Sequence, residues 1–120
     1  MLVIDAANVI GSRPTGWWRD RPGAARLFVG RVRATVTARR LDPPVTVVLE
    51  GGARAGADEV DVDGVEVVHA PAEGDDTIAA IAEAHRGAIV VTADRQLAER
   101  ARAVDAEVRG PSWLLDRLVD

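Results

Sequence analysis

The 120-residue sequence has no cysteine and no tyrosine, one phenylalanine and one methionine, and all 15 of its basic residues are arginine. The lack of cysteine excludes a disulfide framework and a thiolate metal site, and makes a cytoplasmic home the default expectation. The lack of lysine excludes Schiff-base chemistry, a phosphate-loop lysine and the lysine of a phospho-receiver site. No apolar run approaches the roughly 20 residues needed to cross a bilayer, so no membrane partner is expected. The N-terminal MLVIDAAN carries neither a basic region nor a cleavage pattern, so no export signal is expected. No Gly-x-Ser-x-Gly elbow, Walker loop or Gly-x-Gly-x-x-Gly fingerprint occurs, which leaves triad hydrolases, phosphate-loop enzymes and dinucleotide binders without support. His69 and His85 stand alone, without a partner at zinc-like spacing.

What remains is a chain that is 48% hydrophobic and 28% charged, with 19 acids against its 15 arginines and a net charge of −4. That composition and length predict one globular domain over residues 1–120. The charge is not the basic footprint of a tight general nucleic-acid binder.

Leu2–Ile4 is a short apolar run closed by Asp5 and reads as a buried strand. Gly11–Gly23 is rich in Gly, Pro, Trp and Arg and reads as a loop. From Ala24 to Arg40, Phe28, Val32 and Val36 recur every fourth residue, with Arg26, Arg33 and Arg40 on another face, which predicts an amphipathic helix stopped by Asp42-Pro43-Pro44. Val45–Leu49 reads as a second strand, Ala53–Gly64 as a polar excursion and Val65–His69 as a third strand. Asp75–His85 reads as a helix, Ala88–Val91 as a fourth strand, and Leu97, Ala101 and Val104 mark a further helix. A short strand at Glu107–Arg109 precedes a last amphipathic helix around Trp113–Val119, in which Trp113, Leu114, Leu115 and Leu118 dock onto the core. Apolar strands alternating with amphipathic helices predict a mainly parallel five-stranded sheet in a Rossmann-like three-layer α/β/α sandwich.

In such sheets ligands collect beyond the carboxyl ends of the strands, where the strand order reverses. Asp5 closes the first strand, Glu50 the second, Asp94 follows the fourth, and Asp75 and Asp76 open the helix that leads into it. Asp75, Asp76 and Asp94 have an alternative role as helix caps, and Glu50 as a solvated loop acid. Asp5 follows a strand and precedes no helix in this reading, so its bland alternative is an Asx-turn. Two carboxylates about 4 Å apart repel by roughly 4 kcal/mol at an effective dielectric of 20. A cluster therefore protonates, splays or recruits a hard cation, and Mg²⁺ or Mn²⁺ suits carboxylates and waters. Such an ion supports phosphodiester hydrolysis.

Three stretches, VIDAANVI, EGDDTIAAIAEAH and IVVTADRQLAERA, resemble the PIN-like nuclease superfamily, most closely its NYN branch with the YacP-like proteins. The matching positions are Asp5 with Asn8, Asp75 with Ile78, and Thr92 with Asp94, and the resemblance spans nearly the whole chain. Where NYN members often carry Gly and an aromatic after the first Asp, this chain has Ala6 and Ala7. The resemblance implies a strand order 3-2-1-4-5 and an Mg²⁺- or Mn²⁺-dependent endoribonuclease. It gives Asp5, Asp75 and Asp94 as catalytic metal ligands, Asp76 as a fourth ligand because the adjacent pair leaves the register open by one, and Asn8, Glu50 and Thr92 in support.

For substrate, the Gly11–Gly23 segment offers Arg13, Trp17, Trp18 and Arg19, joined by Arg54 and Arg95. Aromatics stack on unpaired bases and arginines follow phosphates, so single-stranded or structured RNA is the expected partner. One tryptophan packed under the loop, and surface salt bridges at the arginines, are the ordinary alternatives. Two other functions stay open: a non-catalytic PIN-like module binding RNA or protein, and a metal-dependent phosphoesterase of small substrates. A homodimer or an antitoxin-like protein partner is compatible with the sequence.

Overall fold

Unbroken β-branched and apolar runs form the centre of the molecule, a computed structural model that describes residues 1–120. Strands β1 (Leu2–Asp5), β2 (Val45–Leu49), β4 (Val65–His69), β5 (Ile89–Val91) and β6 (Glu107–Arg109) are parallel, and β3 (Asp61–Val62) runs antiparallel to β4. Helices α1 (Ala6–Gly11), α2 (Arg21–Thr37), α3 (Gly74–Ala84), α4 (Arg95–Ala103) and α5 (Pro111–Leu115) connect and cover them. The sheet has six strands in the order β3-β4-β2-β1-β5-β6.

The expected five strands in order 3-2-1-4-5 are thus corrected by one added edge strand. Its cause lies in the stretch taken as a polar excursion. Asp63 and Gly64 both take positive φ, 52° and 84°, the conformation of a two-residue hairpin turn for which Asp-Gly is suited. That turn pairs Val62 with Val65 and Asp61 with Glu66.

Alternate side chains of each strand enter opposite faces. Ile4, Val45, Val47 and Leu49 meet Val9 of α1, Phe28, Val29 and Val32 of α2, and Leu114 of α5 in one core. Val3, Val48 and Val90 meet Ile78 and Ala82 of α3 and Leu97 and Ala101 of α4 in the other. Helices therefore cover both faces. The terminal helix ends at Leu115, not near Val119 as expected, and Leu114 within it and Leu118 beyond it are both buried against the core.

At two other places the boundaries differ from expectation for local reasons. α2 begins at Arg21 because the Asp20 carboxylate accepts the Gly23 N–H at 2.9 Å and Pro22 suits a first turn. The chain also turns into α1 directly after Asp5, and Trp17–Arg19 forms a 3-10 turn, so Gly11–Gly23 is only partly loop. Neither short helix has the length for apolar periodicity to announce it.

The crossover from β1 to β2 passes through α1 and α2 on one face, whereas α3 leads into β5 on the other. β1 and β5 are neighbours, so the chain diverges between their carboxyl ends and opens a crevice there.

Candidate acidic site

Asp5 lies at the mouth of that crevice and is only 5% exposed. One of its oxygens, Oδ1, accepts the Asn8 N–H at 3.3 Å and caps α1. The expectation that Asp5 has no helix to cap is therefore corrected, because α1 starts at the next residue. The other oxygen, Oδ2, accepts the Thr92 hydroxyl at 2.9 Å from the end of β5. Thr92 Oγ1 in turn accepts the Asp94 N–H at 3.1 Å, and Asn8 Oδ1 accepts the Ala93 N–H at 2.7 Å. Asp5, Asn8, Thr92 and Asp94, far apart in sequence, are thus joined in one hydrogen-bonded seam across β1 and β5.

Around it lies an open pocket of about 300 Å³ lined by Asp5, Asn8, Glu50, Glu73, Asp75 and Asp94, with Ala7 between them. Asp94 also caps α4 through the Leu97 N–H at 3.1 Å, so its alternative role and its place in the pocket coexist. Asp75 enters from the first turn of α3, where the capping position is held by Glu73 and not by Asp75. Gly74 leaves room for Glu50, since a Cβ there would come within 3.2 Å of Glu50 Oε1.

Five carboxylates facing one space, with no arginine in its wall, shift the proton balance. Burial pushes the Asp5 carboxyl from 3.8 to about 6, helped by the charges of Glu50 and Asp75 and opposed by the bonds from Thr92 and Asn8. Asp75 is also raised, by burial first and then by Asp94 and Glu73. As they stand, no group of three or more His, Asp or Glu side chains is arranged to hold a metal ion.

The structure therefore brings together Asp5, Asn8, Glu50, Asp75 and Asp94, with Thr92 directly behind. It does not bring in Asp76, whose carboxylate turns outward to Arg100 Nη1 at 2.8 Å. The one-residue ambiguity resolves to Asp75, because adjacent helical positions point about 100° apart. Glu73 was missed. It precedes the helix inside EGDDT, and its signal was the acid-Gly-acid run that lets the chain turn into α3.

None of the expected substrate side chains lies in the wall of this pocket. Arg54 bonds the carbonyls of Gly51 and Ala70 at 3.1 and 3.4 Å, a loop-fixing role. Arg13 borders a separate depression over α2 with Phe28 and Leu115. Arg95 borders another with Arg102, beside Thr92 and Ala93. Trp17 is half-buried, whereas Trp18 is 50% exposed, with Arg19 5.8 Å from its ring centre. His69 Nε2 lies 2.7 Å from the Ala57 carbonyl, a structural contact.

No helix is long and apolar enough to cross a membrane. Compared with family models, with curated proteins and with solved structures, the chain matches none.

Proposed function

We propose that this chain is a PIN-like, NYN-type domain acting in the cytoplasm as an Mg²⁺- or Mn²⁺-dependent ribonuclease. The observation that carries the reading is the convergence of Asp5, Asp75 and Asp94, from three separate elements, on one open pocket at the carboxyl edge of the sheet.

The donor set fits a hard divalent ion: every candidate ligand is a carboxylate or amide oxygen, with no sulfur or imidazole among them. Asp5, Asp75 and Asp94 would hold it, with Glu50 and Glu73 at the rim. Mutually repelling carboxylates stand apart until a cation offsets their charge, which is consistent with the lack of a ready-made cage. A bound divalent ion would lower the pKa of water at the site and offset charge on the phosphate. The chain's own contribution is placement. Thr92 and the Asn8 N–H fix both oxygens of Asp5, and the Asn8 side chain holds the β5–α4 turn so that Asp94 faces Asp5. The pocket is open and not a closed cavity, which is compatible with cleavage within a strand.

The test is Mn²⁺-dependent cleavage of a labelled single-stranded RNA. Asp5→Asn, Asp75→Asn and Asp94→Asn are expected each to lose at least about a hundredfold in rate, as for loss of a principal charge-stabilising group. Asp76→Asn, outside the pocket, is expected to cleave like wild type. Full activity in Asp5→Asn overturns the assignment. RNA binding without cleavage, and without Mn²⁺ uptake at millimolar concentration, identifies a non-catalytic module instead. Turnover of small phosphomonoesters but not RNA identifies a phosphoesterase.

A further inference from the structure

A second depression, of about 220 Å³, adjoins the acidic pocket and shares two walls with it, Ala7 and Glu50. Its other walls are Ile10, Trp17, Arg21, Ala24, Gly51 and Ala53. The Arg21 guanidinium lies 4.9 Å from the centre of the Trp17 ring, so a planar cation and an indole form one stacked platform. Two glycines build this wall. Gly51 takes φ 55°, turning the chain away immediately after Glu50. At Gly52 a Cβ would approach Arg21 Cδ to 3.3 Å, so the bare backbone lets Arg21 lie where it does. The platform is half-buried on the Trp17 side and reached from solvent, whereas Trp18, set edge-on at 88°, faces outward.

We infer that this depression is a subsite for one nucleobase, the base of a nucleotide whose phosphate lies at the acidic pocket. The inference rests on the ribonuclease reading for the phosphate but not for the base. Three observations support it. The lining is mainly apolar with a π-stacking platform, the surface to which unpaired bases bind irrespective of sequence. Its volume falls below the roughly 300–1,000 Å³ of sites that enclose a drug-sized ligand, so it takes one ring system and leaves sugar and phosphate outside. The shared walls Ala7 and Glu50 make the depression continuous with the pocket lined by Asp5 and Asp75, where those outside groups would fall. Trp17 is thereby the stacking residue of the pair, and Trp18 stands clear of the subsite.

The probes are adenosine and ribose, which carry no phosphate for the acids to repel, added to the metal-free full chain while the indole N–H resonances are followed by NMR. Adenosine is expected to shift the Trp17 resonance saturably, and ribose to leave it unmoved. Loss of one stacking contact is expected to weaken binding about tenfold or more in Trp17→Ala, read by titration calorimetry because that variant lacks the reporting indole. Ala53→Leu, which fills the depression without touching the platform, is expected to weaken it similarly and serves if Trp17→Ala does not fold. Asp76→Asn, outside both depressions, is expected to bind the base-bearing probe as well as wild type. Equal shifts from both probes, or binding unchanged in Ala53→Leu, overturn the subsite. Metal-dependent RNA cleavage with no Trp17 response would leave the ribonuclease standing and the subsite refuted; a Trp17 response without cleavage would do the reverse.

Discussion

Both oxygens of Asp5 are already spoken for within the fold, one by Asn8 and one by Thr92, and yet burial holds the carboxyl near 6 in place of 3.8. The sign of the consequence follows from proton counting. The folded chain keeps this proton more tightly than the unfolded chain, so between about pH 4 and pH 6 the unfolded state binds fewer protons and stability falls as pH rises. Above about 6 both states are ionised and the loss is complete. A displacement of that size corresponds to a cost of about 3 kcal/mol at neutral pH, carried by one side chain. Residues that weaken the fold at rest are what a binding site is built from. In the absence of metal, Asp5→Asn is therefore expected to be more stable than wild type at pH 7 by about 1–3 kcal/mol, once its weaker hydrogen bonds are allowed for. The two proteins are expected to converge towards pH 4. Urea melts across that range check it, and a variant equally destabilised at both ends would show that Asp5 is a structural group. Mn²⁺ is expected to reverse the ranking, raising the melting temperature of wild type and not of Asp5→Asn.

At the scale of elements, the seam between β1 and β5 shows what a sequence can and cannot disclose. The strands were legible because Leu2–Ile4, Val45–Leu49 and Val65–Val68 are nearly uninterrupted apolar runs, and such runs belong in a sheet buried on both faces. The places of Asp5, Glu50 and Asp94 followed from a rule about strand ends, and that of Asp75 from the start of a helix near the same edge. α1 escaped notice because six residues give less than two helical turns, too few for a period to repeat. With α1 unseen, the cap role of Asp5 was invisible too. The β3–β4 hairpin did have a signal, Asp63-Gly64 between Val60, Val62 and Val65, Val67, but the surrounding acids masked it as loop. Asp76 was misplaced because choosing between adjacent acids needs the phase of α3, which Ile78 and Ala82 fix only once they are known to face the core. Thr92 links these elements from behind: it donates to Asp5 and accepts from the Asp94 N–H, and is 3% exposed. Thr92→Val keeps the shape and removes both bonds, leaving a buried carboxylate and an N–H short of partners. It is expected to cost about 1–3 kcal/mol in urea melts. It is also expected to raise the Asp5 carboxyl further, because the Thr92 bond is the main influence lowering it, so Mn²⁺ binding near pH 6 weakens more than at pH 8. Equal weakening at both pH values would separate Thr92 from Asp5.

For the molecule as a whole, the distribution of charge matters more than its total of −4. Acids gather at one edge of the sheet, while Arg31, Arg86, Arg100 and Arg109 are paired with carboxylates elsewhere. Arg21, Arg95 and Arg102 line the acidic pocket's two neighbouring depressions, Arg19 lies beside the outward-facing Trp18, and all four form none of those pairs. Under the proposed function, an RNA strand crossing this edge would meet at most a few unneutralised arginines, on either side of acids whose charge opposes phosphate in the absence of a cation. Each phosphate contact to single-stranded nucleic acid adds about −0.7 to the slope of log affinity against log salt, so four contacts give a slope no steeper than about −3. Fluorescence anisotropy of a short RNA, with Ca²⁺ filling the oxygen site, measures that slope. Replacing Arg95 and Arg102 together by Ala is expected to flatten it by about 1.4, two contacts' worth, without changing the response of Trp17 to a free nucleoside. Omitting the cation is expected to weaken binding at low salt most of all, because there the unscreened acids act over the longest range. A steep slope that survives removal of both arginines and of the cation would place the RNA on a different face, away from Asp5 and its partners.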